Sequence, residues 1–267
     1  MTRILLDRNA VSTIKQKILP HRDRELRLLD KPNNLISPFL SIQEGNIGSQ
    51  MKDKKEIEKL INQELILLKK FFKKAKIDIA LSQQKELFIN SFSEGMGTEK
   101  WNNYNDFLLV VNDLLYQPIA KIEQDTIKRS ILKKANEFKV DLGHTIVICC
   151  LSTLYGCSFS RKILKFSPKN YNPYNALNDL ITISRIAQIK AMAIEHNIKD
   201  KIEFFTFDKP LDDFFKNVTI SSQKLVPNVG TEIEITFTNK LFPNLGKDEF
   251  IDFKKELSIC ITKQSSQ

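Results

Sequence analysis

Apolar and polar positions fall in blocks along this chain, and the lengths of the apolar runs separate strands from helices. Ile4-Leu5-Leu6 is a short apolar run that stops abruptly at Asp7, with Arg8 and Asn9 behind it. Short runs closed by polar residues predict buried strands. A helix is expected over 10–17, stopped by Pro20, and a charged helix over 22–29. Asp30-Lys31-Pro32-Asn33-Asn34 has the composition of a turn. Leu35 to Ile42 predicts a second strand-like run, with Pro38 marking an edge or a strand end, and it closes on Gln43-Glu44-Gly45.

From 51 to 138 the pattern is helical. Ile57, Leu60, Ile61, Leu65, Leu68 and Phe72 recur at helical spacing over 54–75. Trp101, Tyr104 and Phe107 lie near a further helix over 105–116 and read as core residues, not as a base-stacking platform. A third amphipathic helix is expected over 123–138. The most apolar stretch, 141–155, predicts a central buried helix ended by Gly156-Cys157-Ser158. A Pro/Asn-rich loop over 167–174 leads to a long amphipathic helix over 175–195. Ile202-Glu203-Phe204-Phe205-Thr206-Phe207-Asp208 then repeats the opening arrangement of an apolar strand ending in aspartate. Thr231 to Phe237 alternates like a strand exposed on one face, and 254–262 is expected to supply one more.

A chain of 267 residues can bury one large core or two modest ones, and 42% hydrophobic with 27% charged residues is ordinary for a soluble globular protein. The eight glycines form neither GxGxxG nor GxxxxGK[ST], which argues against the common nucleotide-binding loops. Cys149, Cys150, Cys157 and Cys260 show no CxxC spacing and no accompanying His pair, so they read as buried thiols in a reducing compartment. His21, His144 and His196 lack metal-ligand spacing, and a zinc site is not expected. No apolar run approaches the ~20 residues of a membrane span. Asp7 and Arg8 interrupt the first run, so no signal peptide is expected and the reading is cytoplasmic, with no membrane partner. The net charge of +9 fits either a polyanionic partner or a generally Lys-rich composition. Lys69, Lys70, Lys73, Lys74 and Lys76 line the far face of the 54–75 segment, a pattern that is first of all a solvated surface.

Chemistry enters with the carboxylates Asp7, Glu44, Asp179 and Asp208. Open α/β sheets bind ligands beyond the carboxyl ends of their strands, where Asp7 and Asp208 fall. Asp7 is equally suited to cap the helix that follows it. A compact set of acids repels itself unless cations neutralise it. Mg²⁺ or Mn²⁺ does so with oxygen ligands, and a cation so held can activate water for in-line phosphodiester displacement.

Leu6-Asp7-Arg8-Asn9 resembles the Asp-x-Asn opening of PIN-domain nucleases, and Phe205-Thr206-Phe207-Asp208-Lys209 resembles that family's late Thr-x-Asp motif. Ser41-Ile42-Gln43-Glu44 is similar to the second-motif glutamate, and Asn178-Asp179-Leu180 to the third-motif aspartate. Asp141, which also opens a helix, competes with Asp179 for the third role. The resemblance implies an α/β fold: a central, mostly parallel sheet flanked by helices, with a large helical insertion (45–140) and a short β-containing C-terminal extension (214–267) on one domain spanning 1–267. It implies a Mg²⁺- or Mn²⁺-dependent endoribonuclease of the toxin or phage-defence type. In it Asp7, Glu44, Asp179 and Asp208 would be catalytic, with Asp7, Asp179 and Asp208 on the metal and Asn9 and Thr206 orienting them. RNA would be the partner, held by Lys69, Lys70, Lys73 and Lys74 and by Arg161, Lys162 and Lys165. The resemblance leaves room for an inhibitory or activating protein partner and for a homo-oligomer. A haloacid-dehalogenase-type phosphatase would need a second acid where Asn9 stands. The alternative from another class is a non-catalytic nucleic-acid-binding or protein-interaction module, with the acids as caps and surface charges.

Overall fold

A computed structural model describes residues 1–16, 20–44, 54–79, 98–226 and 230–265. The chain divides into two compact units. The first comprises 1–98, 188–212 and 225–230, and the second 99–187, 213–224 and 231–267.

The first unit is α/β. Strands β1 (Thr2–Leu6), β2 (Asn34–Ser37), β3 (Lys76–Ile77) and β4 (Lys201–Phe205) form one sheet in the order β3-β2-β1-β4. Every pairing is parallel; Ile4 lies opposite Ile36, and Leu6 opposite Phe205. Parallel neighbours need long crossovers. Helices α1 (Arg8–Gln16) and α2 (Pro20–Arg27) supply the first, and α3 (Phe39–Glu44) and α4 (Lys54–Phe71) the second. Ile4, Leu6, Val11, Ile14, Leu26, Ile36, Leu68 and Phe72 share one buried cluster, which joins the apolar runs of β1 and β2 to the inward stripes of the helices. From β1 the chain steps to β2 and β3 on one side and later returns to place β4 on the other. The strand order therefore reverses between β1 and β4.

Three sequence expectations need correction. The run from Leu35 to Ile42 is not one strand: β2 ends at Ser37 and α3 starts at Phe39, because Pro38 cannot extend the ladder but suits a helix entry. Glu44 thus rides the end of a helix. The strand β3, absent from the sequence reading of 51–138, pairs its two residues with Leu35 and Ile36. Its entry is fixed by Asp30, whose carboxylate accepts the amides of Lys73, Lys74 and Ala75 at 2.7–3.0 Å. Desolvation raises the pKa of Asp30, but these donors and the Lys74 charge outweigh it and hold the carboxyl below its ordinary range.

The second unit is mainly helical. It contains α5 (Thr98–Leu115), α6 (Gln124–Glu137), α7 (Thr145–Leu154), α8 (Ser158–Leu164) and the larger part of α9 (Tyr174–Glu195). All ten residues of α7 are buried, as the apolar stretch predicts. Cys149, Cys150 and Cys157 are buried free thiols, and burial pushes the Cys149 and Cys150 thiols up, which makes them inert. Beyond α10 (Lys209–Phe215), β5 (Val218–Val226) and β6 (Gly230–Phe237) form a two-stranded sheet. The segment 254–262, expected as a strand, lies within helix α11 (Lys247–Ser265). Among its described side chains Phe253 and Leu257 are buried, and their spacing is helical. Phe242 and Phe253 pack with tilted rings 4.8 Å apart between centroids, and Lys128 binds Glu256 at 2.7 Å, tying α6 to α11.

His144 caps α7. Its Nδ1 accepts the Ile146 amide at 3.2 Å and its ring stacks on Tyr104 at 4.8 Å. Burial, with a smaller contribution from Lys100 and against the pull of Asp141, lowers its pKa to about 4. The folded chain therefore resists a proton that the unfolded chain accepts near its ordinary value of 6.5. Above that value the imidazole is neutral in both states and the stability is complete; between 6.5 and about 4 the stability falls with pH. The expected loss by pH 4 is on the order of 3 kcal/mol. Urea unfolding from pH 7 to 4 checks this: His144→Asn, a cap that does not titrate, should show the shallower decline, and equal declines would refute it.

Candidate active site at the carboxyl ends of the central strands

Chain geometry brings three of the sequence-predicted residues together where the strand order reverses. Asp7 directly follows β1, and its amide donates to the Phe205 carbonyl at the end of β4 at 3.0 Å. Its own carbonyl accepts the amides of Ala10 and Val11, so its backbone starts α1. Its side chain does not serve as the helix cap: Asp7 Oδ2 accepts hydrogen bonds from Asn9 Nδ2 and from Thr206 Oγ1. Asn9 Nδ2 also donates to Thr206 Oγ1 at 3.0 Å, and Asn9 Oδ1 accepts the Phe207 amide at 3.0 Å. Thr206 Oγ1 further accepts the Asp208 amide at 3.0 Å, so this hydroxyl uses its full bonding capacity.

The result is a polar clasp across the carboxyl ends of β1 and β4. Asp7 is only 5% exposed, so its charge depends on these donors. Both bonds fall on Oδ2; Oδ1 takes none among the described residues. Oδ1 is thereby left as a single carboxylate oxygen of the kind that ligates a hard divalent cation.

The remaining acids differ. Asp208 lies at the β4–α10 junction, where its Oδ1 accepts the Leu211 amide at 2.9 Å and so caps α10. Glu44, at the end of α3, accepts the Arg8 amide through Oε2 at 3.3 Å, which brings it to the β1–α1 junction. Asp179 lies in the part of α9 that belongs to the second unit, and its charge adds to the upward shift of the Cys149 thiol. Asp141 makes a turn, with Oδ1 accepting the Gly143 amide at 2.6 Å. Among the described residues, no three His, Cys, Asp or Glu side chains form a group that could hold a metal ion. Lys69, Lys70, Lys73 and Lys74 are exposed. Of the second basic set, Lys162 and Lys165 are exposed, but Arg161 is half-buried and donates to the Leu115 carbonyl at 3.1 Å.

Sequence reasoning missed Arg22. Its guanidinium lies 5.0 Å from the centroid of the Phe207 ring, and the Phe207 amide is bonded to Asn9 Oδ1. No local signal could have found it, because α2 and the β4 terminus are far apart in the chain.

No described helix is long and apolar enough to cross a membrane. No protein-family model, no curated protein and no solved structure matches this chain. What fold and site define is an α/β unit with a parallel sheet, flanking helices and a clasped carboxylate where the strand order reverses.

Proposed function

We propose that this chain is a divalent-metal-dependent endoribonuclease of the PIN-like type, acting in the cytoplasm as a toxin or defence effector. The observation that carries the proposal is the placement of Asp7: a buried carboxylate, held by Asn9 and Thr206 through one oxygen, at the reversal of strand order in a parallel sheet. In this reading Asp7 and Asp208 hold Mg²⁺ or Mn²⁺, and Glu44 is a further catalytic acid. A bound cation of this kind supplies an activated water and neutralises charge on a phosphodiester. Asn9 and Thr206 fix the direction of the Asp7 carboxylate, so no side-chain reorganisation accompanies the reaction. Thr206 also holds the Asp208 amide, which couples the two aspartates through one hydroxyl.

A second reading has its own observation. Asp208 caps α10, and the clasp joins two strand ends, as a fold would require without any chemistry. That reading makes the chain a nucleic-acid-binding or interaction module. Incubation with RNA in Mn²⁺ separates the two: cleavage abolished by chelator supports the nuclease, and intact RNA bound by the protein supports the module.

The exposed lysines fit either way of engaging RNA. Changing Lys69, Lys70, Lys73 and Lys74 to Gln is expected to flatten the salt dependence of RNA binding, by about 0.7 in slope for each phosphate no longer neutralised. Changing Lys162 and Lys165, measured separately, should do the same. An unchanged slope for a set removes that set from the interface.

A further inference from the structure

We propose that Arg22 is a substrate-positioning residue that grips a phosphodiester of RNA beside the Asp7 site, an inference that rests on the nuclease reading above. Phe207 lies between Thr206 and Asp208, and its amide is bonded to Asn9 Oδ1 at 3.0 Å. The same Asn9 side chain donates to Asp7, so one residue fixes both the carboxylate and the backbone that carries the Phe207 ring. That ring meets Phe205 edge-on at 5.1 Å and packs on the core cluster of the first unit. Arg22 stacks over it, and its position is thereby tied to the clasp.

Among the described residues the Arg22 charge makes no ion pair and no hydrogen bond, and its guanidinium lies over the Phe207 ring. Its helical neighbour Asp23 is engaged elsewhere, by Arg27 Nε at 2.8 Å. Arg27 supplies an internal comparison. It stacks on Phe71 at 4.5 Å in the same manner, but its charge is already met by Asp23. Two arginines on one helix thus each lie over an aromatic ring, and among the described residues Arg22 keeps its donors unspent while Arg27 does not. A guanidinium stacked by its face leaves its N–H edges for a second partner, and its planar fork matches a phosphate bidentately. A negatively charged backbone brought to Asp7 needs such a cation, because the acids there would otherwise repel it.

The test uses the full chain, a fluorescein-labelled ten-nucleotide single-stranded RNA and anisotropy across a KCl series in chelator, with cleavage followed separately in Mn²⁺. Arg22→Met keeps an unbranched stem over Phe207 and removes the charge and the fork. It should weaken binding about tenfold and lower the salt slope by about 0.7. Arg22→Lys should keep the slope and lose only about threefold, since the charge remains without the fork. In Mn²⁺ the Met variant should raise KM more than it lowers kcat, with its thermal midpoint within a few degrees of wild type. An unchanged salt slope, or loss of the fold, makes Arg22 a packing residue like Arg27 and overturns the inference. Wild type that binds and cleaves, with an indistinguishable Met variant, overturns this inference alone. Wild type that binds without cleaving, with a flattened slope in the Met variant, upholds the grip of Arg22 and removes the hydrolytic reading. Absence of binding by wild type overturns both.

Discussion

Asp7→Asn is expected to reduce Mn²⁺-dependent RNA cleavage by at least about a hundredfold, equivalent to roughly 2.7 kcal/mol of transition-state stabilisation. The chain should stay folded. The Asn amide keeps one oxygen, which can accept from Asn9 Nδ2 and Thr206 Oγ1 as Asp7 Oδ2 does. What is lost is the charge and the second acceptor oxygen. The hydrogen bonds to the clasp weaken from charge-assisted to neutral, at a cost of about 1 kcal/mol. Asp7→Ala is the harsher change, because it strips both donors of their acceptor. Single-turnover cleavage and thermal unfolding of Asp7→Asn separate chemistry from stability; full cleavage by a folded variant would remove Asp7 from the site.

Asn9→Ala carries the second large effect, on stability. Asn9 donates to Asp7 and Thr206 and accepts from Phe207, so one substitution removes every side-chain bond that ties the start of α1 to the end of β4 through this residue. Asp7 then keeps Thr206 alone, and the Phe207 amide loses its acceptor. The expected loss is about 2 kcal/mol, near the middle of the range for stranding partly buried polar groups. Urea unfolding measures it. The same substitution in an Asp7→Asn background should cost less, because the charge that Asn9 serves is already gone; a coupling near zero would mean that the two side chains act independently.

The sequence showed most about the parts of the chain where neighbours decide the structure. Leu6-Asp7 and Phe205-Thr206 could be read as strand ends because the apolar runs stop there, and the parallel pairing of β1 with β4 follows from those two runs and the helices between them. Asn9 and Thr206, both named from the sequence, bond the Asp7 carboxylate across adjacent strand ends. Glu44 was expected just beyond a strand-like run and instead ends a helix, because the apolar residues beyond Pro38 do not reveal whether they alternate across a pleat or circle a helix. Residues 254–262 failed similarly: Phe253 and Leu257 need Phe242 and its neighbours to define which face is inside. Arg22 and Phe207 meet across 185 positions of sequence, about which local pattern says nothing. The cap made by Asp208 was hidden for the opposite reason: Asp before a helix suits both a cap and a ligand, and the residues alone do not choose.

The most direct measurement is calorimetric titration of Mn²⁺ into the full chain, comparing wild type with Asp7→Asn and Asp208→Asn. The nuclease account predicts a saturable site in wild type and an affinity at least about tenfold weaker in each variant, as expected when an anionic ligand is lost. Mn²⁺ affinity unchanged in both variants would contradict it and leave the clasp as a joint between strands in a binding module.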